Sequence, residues 1–411
     1  MIIDNKVETY FDKRIKQVFV YITSRCQLHC KQCLYKPLLC QNSSDIDFNQ
    51  LITLLETFRQ WGAYKLSFLG GEPTLYHDKV NNKRLSDVIL CAKQIGYKYI
   101  RIDTNGQFDT SFLNDDGIKQ LSEITFSLDG HDQETNDAVR GVGSYQKCIA
   151  NLKKAVELGY NVQITSCVHK YSCPNAEIGL KNLKAMISFA QNLGVKSINF
   201  HPILKAGIAR DNWIDSTDIS VSDWKTIYNQ MLSILPWDND SIKVRIPMRF
   251  VDCSLIAQNK EKYHYCPLDM GERALIMPDG QIKVCAFTIG TQECVARYDM
   301  NGISFEQKEN ETRKIGTLIG NQVCYNQIGD YGNNVPLCMS YKPYQTEMVW
   351  KDKNNEVGHV VLLEKIDTKT DTIQIYDPGP RNHGSKTVKV DDMVYAMKRR
   401  GGIYLFEKVD H

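Results

Sequence analysis

The sequence predicts an α/β protein whose first half folds as an incomplete barrel of six βα units. Hydrophobic β-rich runs alternate with stretches of helical spacing over about residues 17–203. The predicted helices also have recognisable ends, with a capping residue at Asp47 and glycine stops at Gly96 and Gly159. Repeated strand–helix–strand units give a parallel sheet with right-handed crossovers, so an active site is expected at the carboxyl ends of the strands.

Each predicted element is a short block with the hydrophobic period of its structure. The predicted strands are residues 17–24, 64–71, 97–106, 124–130, 161–168 and 195–203. The predicted helices between them are residues 47–61, 85–96, 144–159 and 177–193. The polar and glycine motifs of this region fall at the carboxyl ends of strands, which is where a barrel enzyme carries its chemistry.

The pattern changes after about residue 236. Residues 273–287 predict two strands joined by a Pro-Asp-Gly turn, and residues 306–314 predict a charged, solvated loop. Further β-rich runs begin at Gly358, followed by a short helix at about 391–399 and a last strand. We therefore divide the chain into a barrel domain, a central region and a small α+β domain, with the bounds 1–235, 236–339 and 340–411.

Composition narrows the setting. The 411 residues are 42% hydrophobic and 24% charged, with a formal net charge of +2, which is ordinary for a globular protein and favours neither nucleic acid nor a membrane surface as partner. The polar N-terminus predicts neither a signal peptide nor an anchor, so a cytoplasmic location is expected. The 14 cysteines are then thiols or metal ligands, and Cys91, Cys148 and Cys167 fit apolar patterns that predict packing roles.

Three cysteines lie within eight residues directly after the first strand. Cys26, Cys30 and Cys33 have the spacing C-x3-C-x2-C. Four cysteines would close a structural zinc site, whereas three leave a metal site open. Three thiolates on one loop also suit three irons of a 4Fe–4S cluster, with the fourth iron free for a ligand.

The motifs at the next strand ends follow in the same register. The second strand ends in GGEP at 70–73, the third in DTNG at 103–106, and the fourth is FSLDG at 126–130. Together with the cysteine spacing, these motifs resemble the peptide- and small-molecule-modifying branch of the radical SAM superfamily over roughly residues 16–235. The resemblance implies a partial (β/α)6 TIM-like barrel of radical SAM type, a 4Fe–4S cluster with an open iron, and S-adenosylmethionine (SAM) bound to that iron. Cleavage of SAM would give a 5′-deoxyadenosyl radical that abstracts a hydrogen atom from the substrate.

The resemblance also implies the cofactor contacts. In the family the glycines permit close backbone approach to the methionine amino group, and the carboxylate accepts from its ammonium. The cluster ligands would be Cys26, Cys30 and Cys33. The residues implied to contact SAM are Gly70, Gly71, Glu72, Pro73, Thr104, Asn105, Ser127 and Arg140. One departure is Gln32, since the residue before the third cysteine is commonly aromatic or His and helps to seat adenine.

A second cysteine group lies in the central region. Cys266 and Cys285 flank the predicted hairpin with spacing that resembles the opening half of the SPASM and Twitch extensions, which carry auxiliary iron–sulfur clusters. We therefore expect one auxiliary cluster on Cys266 and Cys285. Two further ligands would come from Cys253, Cys294, Cys324 and Cys338, with Cys324 and Cys338 as the assigned pair. The alternative is a hairpin that retains two ordinary thiols.

The C-terminal tail resembles the second half of papain-like peptidases that process leader peptides. His359 and Asp377 match the base and orienting residue of such a triad, but Asn333 or Asn334 stands where the nucleophile is expected. Asn cannot form an acyl-enzyme, so residues 340–411 are predicted to form a noncatalytic cap that helps recognise a peptide.

The resemblance implies a radical SAM oxidoreductase or maturase. The preferred substrate is a ribosomally synthesised peptide that undergoes crosslinking, oxidation or epimerisation, and the alternatives are a dehydrogenase of a sugar or aminoglycoside-like molecule and a noncatalytic iron–sulfur scaffold. A one-electron donor such as flavodoxin or ferredoxin is implied as a partner. Only about 16 residues precede the first strand, so we expect no N-terminal winged leader-binding domain.

Overall fold

The computed structural model divides the chain into two compact units, Met1–Trp350 and Lys351–His411. The residues it describes are 15–39, 44–203, 219–234, 242–246, 250–252, 272–290, 294–305, 334–336, 362–367, 372–377 and 384–389. Among these residues, no helix has both the length and the apolar character needed to cross a membrane.

The first unit is built on one large mixed sheet. Its parallel strands are β1 (Gln17–Thr23), β2 (Lys65–Gly70), β5 (Tyr99–Thr104), β6 (Glu123–Ser127), β7 (Val162–Val168), β8 (Ser197–Pro202) and β9 (Lys243–Arg245). They lie in the order β1-β2-β5-β6-β7-β8-β9, and each pairs in parallel with the next. The six strands predicted from the sequence are therefore present, and β9 adds a seventh at the edge.

Helices connect these strands and form the other face of the core. They are α1 (Lys36–Leu39), α2 (Phe48–Gln60), α3 (Leu85–Ile95), α4 (Gln133–Arg140), α5 (Ser144–Glu157), α6 (Ala176–Asn192) and α7 (Val221–Ile234). The predicted ends are observed, because the Asp47 side chain accepts from the Gln50 N–H at 2.9 Å and Gly96 takes a left-handed φ of 99°. Apolar helix residues such as Leu55 and Val88 pack with strand residues such as Phe126 in one buried core.

The central region continues the same sheet. Strands β11 (Arg273–Ile276), β12 (Gln281–Lys283), β13 (Ala296–Asp299) and β14 (Gly302–Phe305) form an antiparallel series. β11 pairs in parallel with β1, so that Gln17 lies opposite Arg273. The hairpin with its Pro-Asp-Gly turn was predicted, but its addition to the open edge of β1 was not. The pairing covers that edge, which would otherwise expose unpaired backbone groups.

The remaining described strands form small antiparallel sheets. β3 (His77–Asp78) pairs with β4 (Lys83–Arg84), and β10 (Phe250–Asp252) pairs with β15 (Asn334–Pro336). In the second unit, the order β16-β17-β18 describes a three-stranded meander of Leu362–Asp367, Thr372–Asp377 and Gly384–Lys389. The two predicted strands of the tail are thus present. The predicted loop at 306–314, the helix at 391–399 and the last strand lie outside the described residues.

Candidate active site

A cavity of about 410 Å³ opens at the carboxyl ends of the parallel strands. This volume is within the range of small-molecule sites, roughly 300–1,000 Å³. Its mouth is bounded by the loop after β1, which carries the three cysteines, and by the turns after β2 and β5. Its inner wall is formed by side chains of β1, β5, β6, β7, β8 and β11. The position confirms that the polar motifs of successive strands meet at one edge of the sheet.

All three cysteines of the loop line this cavity. Cys26, Cys30 and Cys33 are half-buried free thiols. Burial raises the pKa of Cys26 to about 12 and that of Cys33 to about 11, because a thiolate loses its hydration there. Burial therefore favours the neutral thiols, and a bound cationic iron would stabilise the thiolates instead.

The two glycines at the end of β2, Gly70 and Gly71, hold the cysteine loop by close backbone contact. The Gly71 N–H donates to the Thr23 carbonyl at 2.8 Å, and the Glu72 N–H donates to the Arg25 carbonyl at 2.7 Å. A Cβ on Gly70 would lie 2.4 Å from the Thr23 oxygen, and one on Gly71 would lie 2.1 Å from the Arg25 oxygen. Only glycine permits this approach, so the motif first serves to anchor the start of the loop.

Glu72 ties the ends of β2 and β5 together. Its carboxylate is buried, and burial raises its pKa. Oε1 accepts from the Thr74 hydroxyl at 2.7 Å, the Thr74 N–H at 3.2 Å and the Thr104 hydroxyl at 2.7 Å, while Oε2 accepts from the Asn105 N–H at 2.7 Å. A carboxylate has about four acceptor sites, two on each oxygen, so the remaining capacity lies at Oε2.

Asn105 connects this turn to the cysteine loop. Its Nδ2 lies 3.7 Å from the Cys26 sulfur and 3.5 Å from Oε1 of Gln27. Its Oδ1 accepts from the Gln107 N–H at 2.9 Å, which fixes the direction of the amide. Asn105 therefore presents a donor beside the first cysteine of the loop.

Asp129 forms a second junction, on the other side of the loop. Its buried carboxylate accepts from Gln32 Nε2 at 2.5 Å and from the Cys167 N–H at 2.7 Å, and it forms an ion pair with Arg140 at 2.7 Å. Burial disfavours the charged guanidinium of Arg140, but the charge of Asp129 outweighs this effect and raises the pKa of Arg140. Asp129 belongs to the FSLDG motif, and its signal in the sequence is an acidic residue after an apolar strand.

The inner wall of the cavity carries polar groups that the sequence analysis did not single out. Arg101 pairs with Asp103 at 3.3 Å and lies 3.7 Å from Glu123, and burial raises the pKa of Asp103. Cys167, predicted as a packing residue, lies half-buried on this wall. Alternation along a strand that is covered on both faces does not reveal which polar residues line an internal cavity.

The structure brings together most of the residues assigned from the sequence. Seven of the eight SAM-contact candidates line the same cavity as the three cysteines: Gly70, Gly71, Glu72, Thr104, Asn105, Ser127 and Arg140. Pro73 is not among the lining residues; it is buried and begins the 3₁₀ turn Pro73–Leu75. The Cys148 side chain is buried in the hydrophobic core, and the partly buried Cys91 packs against that core.

The predicted second cysteine group is only partly described. Cys285 is buried directly after β12, where its carbonyl accepts from the Thr288 hydroxyl at 2.7 Å, and Cys294 precedes β13. Asp377 ends β17. The residues Cys253, Cys266, Cys324, Cys338, Asn333 and His359 lie outside the described part of the chain.

The donor set of the cavity fits a cluster bound through thiolates. Thiolates favour iron–sulfur clusters. The side chains of Cys26, Cys30 and Cys33 all line the cavity, which leaves space for a cluster beside them. Within the described part of the chain, no three Cys, His, Asp or Glu side chains converge closely enough to hold a single metal ion. A 4Fe–4S cluster presents separate irons to its ligands, so its thiolates need not converge on one point.

We predict that Gly71→Ala disrupts the cysteine loop. The added methyl would clash with the backbone of Arg25, which has no flexible side chain to yield, and such overpacking costs about 1–3 kcal/mol. Chemical denaturation should show the loss, and anaerobic reconstitution should give less bound iron. The control is Gly159→Ala, where φ is +81° but nothing lies within 4 Å of the added Cβ, so only backbone strain acts. Equal iron uptake by wild type and Gly71→Ala would contradict the anchoring role.

We also predict that Asp129→Asn is strongly destabilising. The substitution leaves the buried Arg140 guanidinium without its counter-charge, and breaking a buried pair in this way costs about 3–5 kcal/mol. The midpoint of chemical denaturation should fall accordingly. Asp116→Asn is the control, since it removes one partner of the exposed Lys119 pair and should leave the midpoint unchanged. A midpoint equal to that of wild type for Asp129→Asn would show that the junction is dispensable.

Comparison with known proteins agrees with this geometry. The family model described as the Radical SAM superfamily matches residues 20–171, which span β1 to the loop after β7. A curated relative, the probable GTP 3′,8-cyclase of Saccharolobus solfataricus, is 24% identical over 197 residues. This match covers 47% of the present chain and 59% of that protein, so it spans little more than half of the relative's length.

Solved structures share the fold. The chain resembles histidine-tagged anSMEcpe with bound AdoMet at a TM-score of 0.54 and 15% identity, covering 78% of this chain and 88% of that one. It resembles Streptococcus suis SuiB bound to its precursor peptide SuiA at a TM-score of 0.52 and 17% identity, covering 73% and 65%. The resemblance of the tail to papain-like peptidases receives no support from these comparisons. The parallel sheet and the cysteine loop agree with this match: residues 20–171 carry the match to the Radical SAM superfamily model, and the solved structures share the fold.

Proposed function

We propose that this protein is an enzyme that reductively cleaves SAM and abstracts a hydrogen atom from its substrate. The observation that carries the proposal is that Cys26, Cys30 and Cys33 share one cavity of about 410 Å³ with seven residues assigned to SAM. A noncatalytic iron–sulfur scaffold needs the three thiols but has no need of the seven residues assigned to SAM. The convergence of these residues on one cavity therefore favours catalysis over a scaffold role.

The chain's own residues divide the work of holding the cofactors. The three thiols would hold three irons of a 4Fe–4S cluster, leaving one iron for SAM. When bound, the reduced cluster and SAM together supply a 5′-deoxyadenosyl radical that can remove a hydrogen atom. Arg140, fixed by Asp129, and Asn105, fixed through its Oδ1, present hydrogen-bond donors to the cavity.

Glu72 would serve two purposes in this site. Its Oε1 is saturated by Thr74 and Thr104, which fixes the turns after β2 and β5. The remaining acceptor site on Oε2 suits the methionine ammonium, and such a charge-assisted hydrogen bond is stronger than a neutral one. The same carboxylate would therefore both shape the site and bind the cofactor.

A peptide is the substrate that we favour, with crosslinking, oxidation or epimerisation as the outcome. The support is the shared fold with SuiB, whose structure is described with a precursor peptide. A small molecule is the second candidate, because the curated relatives include GTP 3′,8-cyclases and because Arg273 lines the cavity. Guanidinium groups suit anionic small molecules, so the two candidates differ in what the inner wall would contact.

We further propose an auxiliary iron–sulfur cluster in the central region. Its support is the buried Cys285 at the end of a hairpin strand, together with the sequence spacing to Cys266. Cys324 and Cys338 remain the assigned further ligands. A one-electron donor of the flavodoxin or ferredoxin type would complete the system.

The cluster assignment is tested by iron content. The triple variant Cys26→Ala, Cys30→Ala, Cys33→Ala should lose the iron and sulfide of one cluster after anaerobic reconstitution and retain those of the auxiliary cluster, because only its cavity thiols are removed. Cys91→Ala, which removes a half-buried helix thiol, is the matched control and should lose none. A triple variant with the iron content of wild type would refute the assignment of these ligands.

The chemistry is tested with reduced, cluster-loaded protein, which should convert SAM to 5′-deoxyadenosine and methionine. Glu72→Ala should weaken SAM binding about ten- to a hundredfold, because a hydrogen bond to a charged group contributes about 1.5–3 kcal/mol. Thr104→Val is the control: it removes the hydroxyl that donates to Glu72 and accepts from the Gly106 N–H but keeps the carboxylate, so the loss of SAM binding should be smaller. Absence of 5′-deoxyadenosine with peptide and nucleotide substrates alike would exclude the proposed function, and product masses would distinguish the two substrate classes.

A further inference from the structure

The cysteine loop has two chemically different faces. Cys26, Leu28, Cys30 and Gln32 line the cavity, whereas the intervening Gln27, His29 and Lys31 are exposed and do not. This alternation places the cysteines that would hold the cluster on the inner side of the loop, and it places the exposed residues on the outer side. A partner that contacts the outer face therefore need not enter the substrate cavity.

The outer face is positively charged. Residues 24–39 contain Arg25, Lys31 and Lys36 but no Asp or Glu. Arg25 is neutralised by Asp45 at 2.6 Å, whereas Lys31 and Lys36 are exposed and form no ion pair with any residue that the structure describes. An excess of unneutralised ammonium groups over one face attracts an acidic surface.

A second loop adds to this charge in a defined geometry. The ammonium of Lys31 lies 5.2 Å from the centroid of the Tyr171 ring, and that of Lys170 lies 5.3 Å from the same centroid. Tyr171 is 45% exposed, although it is a large aromatic residue. The Lys31 backbone is fixed as well, since its N–H donates to the Val139 carbonyl at 2.9 Å. We call Lys31, Lys170 and Tyr171 the basic lip.

We propose that the basic lip is the docking site of an acidic one-electron carrier protein of the flavodoxin or ferredoxin type. The inference rests on the proposed function, because only a redox cluster on the inner face needs such a partner. One electron would pass from the reduced flavin or iron–sulfur centre of the carrier to the cluster held by the three thiols. The carrier is oxidised by one electron, the cluster is reduced by one electron, and no bond forms or breaks.

The position of Lys31 favours a carrier over a substrate. It is adjacent to Cys30, so a protein seated on the lip approaches the cluster through the thickness of the loop alone. The same seat leaves the cavity open for SAM and substrate, because neither lysine is among the lining residues. An acidic substrate peptide is the competing occupant, and it would have to contact both the lip and the cavity.

The test compares charge reversal at two places on the sheet. The double variant Lys31→Glu, Lys170→Glu reverses the charge of the basic lip. The matched control is Lys98→Glu with Lys196→Glu, two exposed lysines directly before β5 and β8 and thus at the opposite, amino-terminal edge of the parallel sheet. Both double variants change the net charge equally. Reduction of the reconstituted cluster is followed by its visible absorbance before SAM is added, with a reduced flavodoxin as one reductant and photoreduced 5-deazariboflavin, a small uncharged molecule, as the other.

We expect the lip variant to lower the second-order rate of reduction by flavodoxin about tenfold or more at low ionic strength, with weaker flavodoxin binding in a calorimetric titration. The deficit should disappear near 1 M salt, where the Debye length is about 3 Å. Reduction by 5-deazariboflavin should be unchanged. The proposal fails if the lip variant behaves like the control variant, or if both reductants slow by the same factor.

Two further arms keep the test decisive. If Lys31→Glu reduces iron uptake, the single variant Lys170→Glu is tested instead, because Lys170 lies outside the cysteine loop. An unchanged rate of cluster reduction by flavodoxin in that variant refutes the proposal. Full flavodoxin reduction with lost substrate binding in the double variant would assign the lip to an acidic substrate instead. Normal reduction by flavodoxin without any SAM cleavage would refute the proposed function but leave the docking site standing.

Discussion

The close backbone contact between the turn after β2 and the turn after β1 is the constraint on which the site depends. Gly71 and Glu72 donate their N–H groups to Thr23 and Arg25, at separations that exclude any side chain on the glycines. The contact fixes where the cysteine loop leaves the sheet. Since the loop has few apolar residues of its own, the position of its thiols depends on such anchors more than on hydrophobic burial.

Two buried carboxylates extend this anchoring to the neighbouring strands. Glu72 joins the turn after β2 to Thr104 and Asn105 after β5, and Asp129 joins the loop to Arg140 and to the backbone of Cys167 in β7. Each carboxylate is costly to bury and is therefore held by several hydrogen bonds or an ion pair. The cavity between them is pre-formed, so binding a cofactor need not pay for ordering its walls.

The sequence was sufficient for the local parts of this arrangement. Strand and helix periods, the Asp47 cap and the glycine ends are local signals, and the strand ends they define placed Cys26, Glu72 and Asn105 at one edge of the sheet. Non-local pairing was not predictable: nothing in 273–276 specifies that β11 should lie beside β1. Cys167 was taken as a packing residue because a strand such as β7 that is covered on both faces does not show which side lines a cavity. Asp129 lies after the end of β6, where strand periodicity gives no signal, and its partner Arg140 belongs to another element.

Gln32 stands where an aromatic residue or His is common, and its hydrogen bond to Asp129 gives a physical reason for the difference. An aromatic ring at this position would contribute apolar surface, whereas the Gln32 amide donates to Asp129 at 2.5 Å and so adds a hydrogen bond between the cysteine loop and the junction at Arg140. Its Oε1 is buried and has no hydrogen-bond partner among the described residues, which leaves an acceptor at the cavity wall. The loop has thus exchanged apolar contact for a polar connection through the Asp129 side chain.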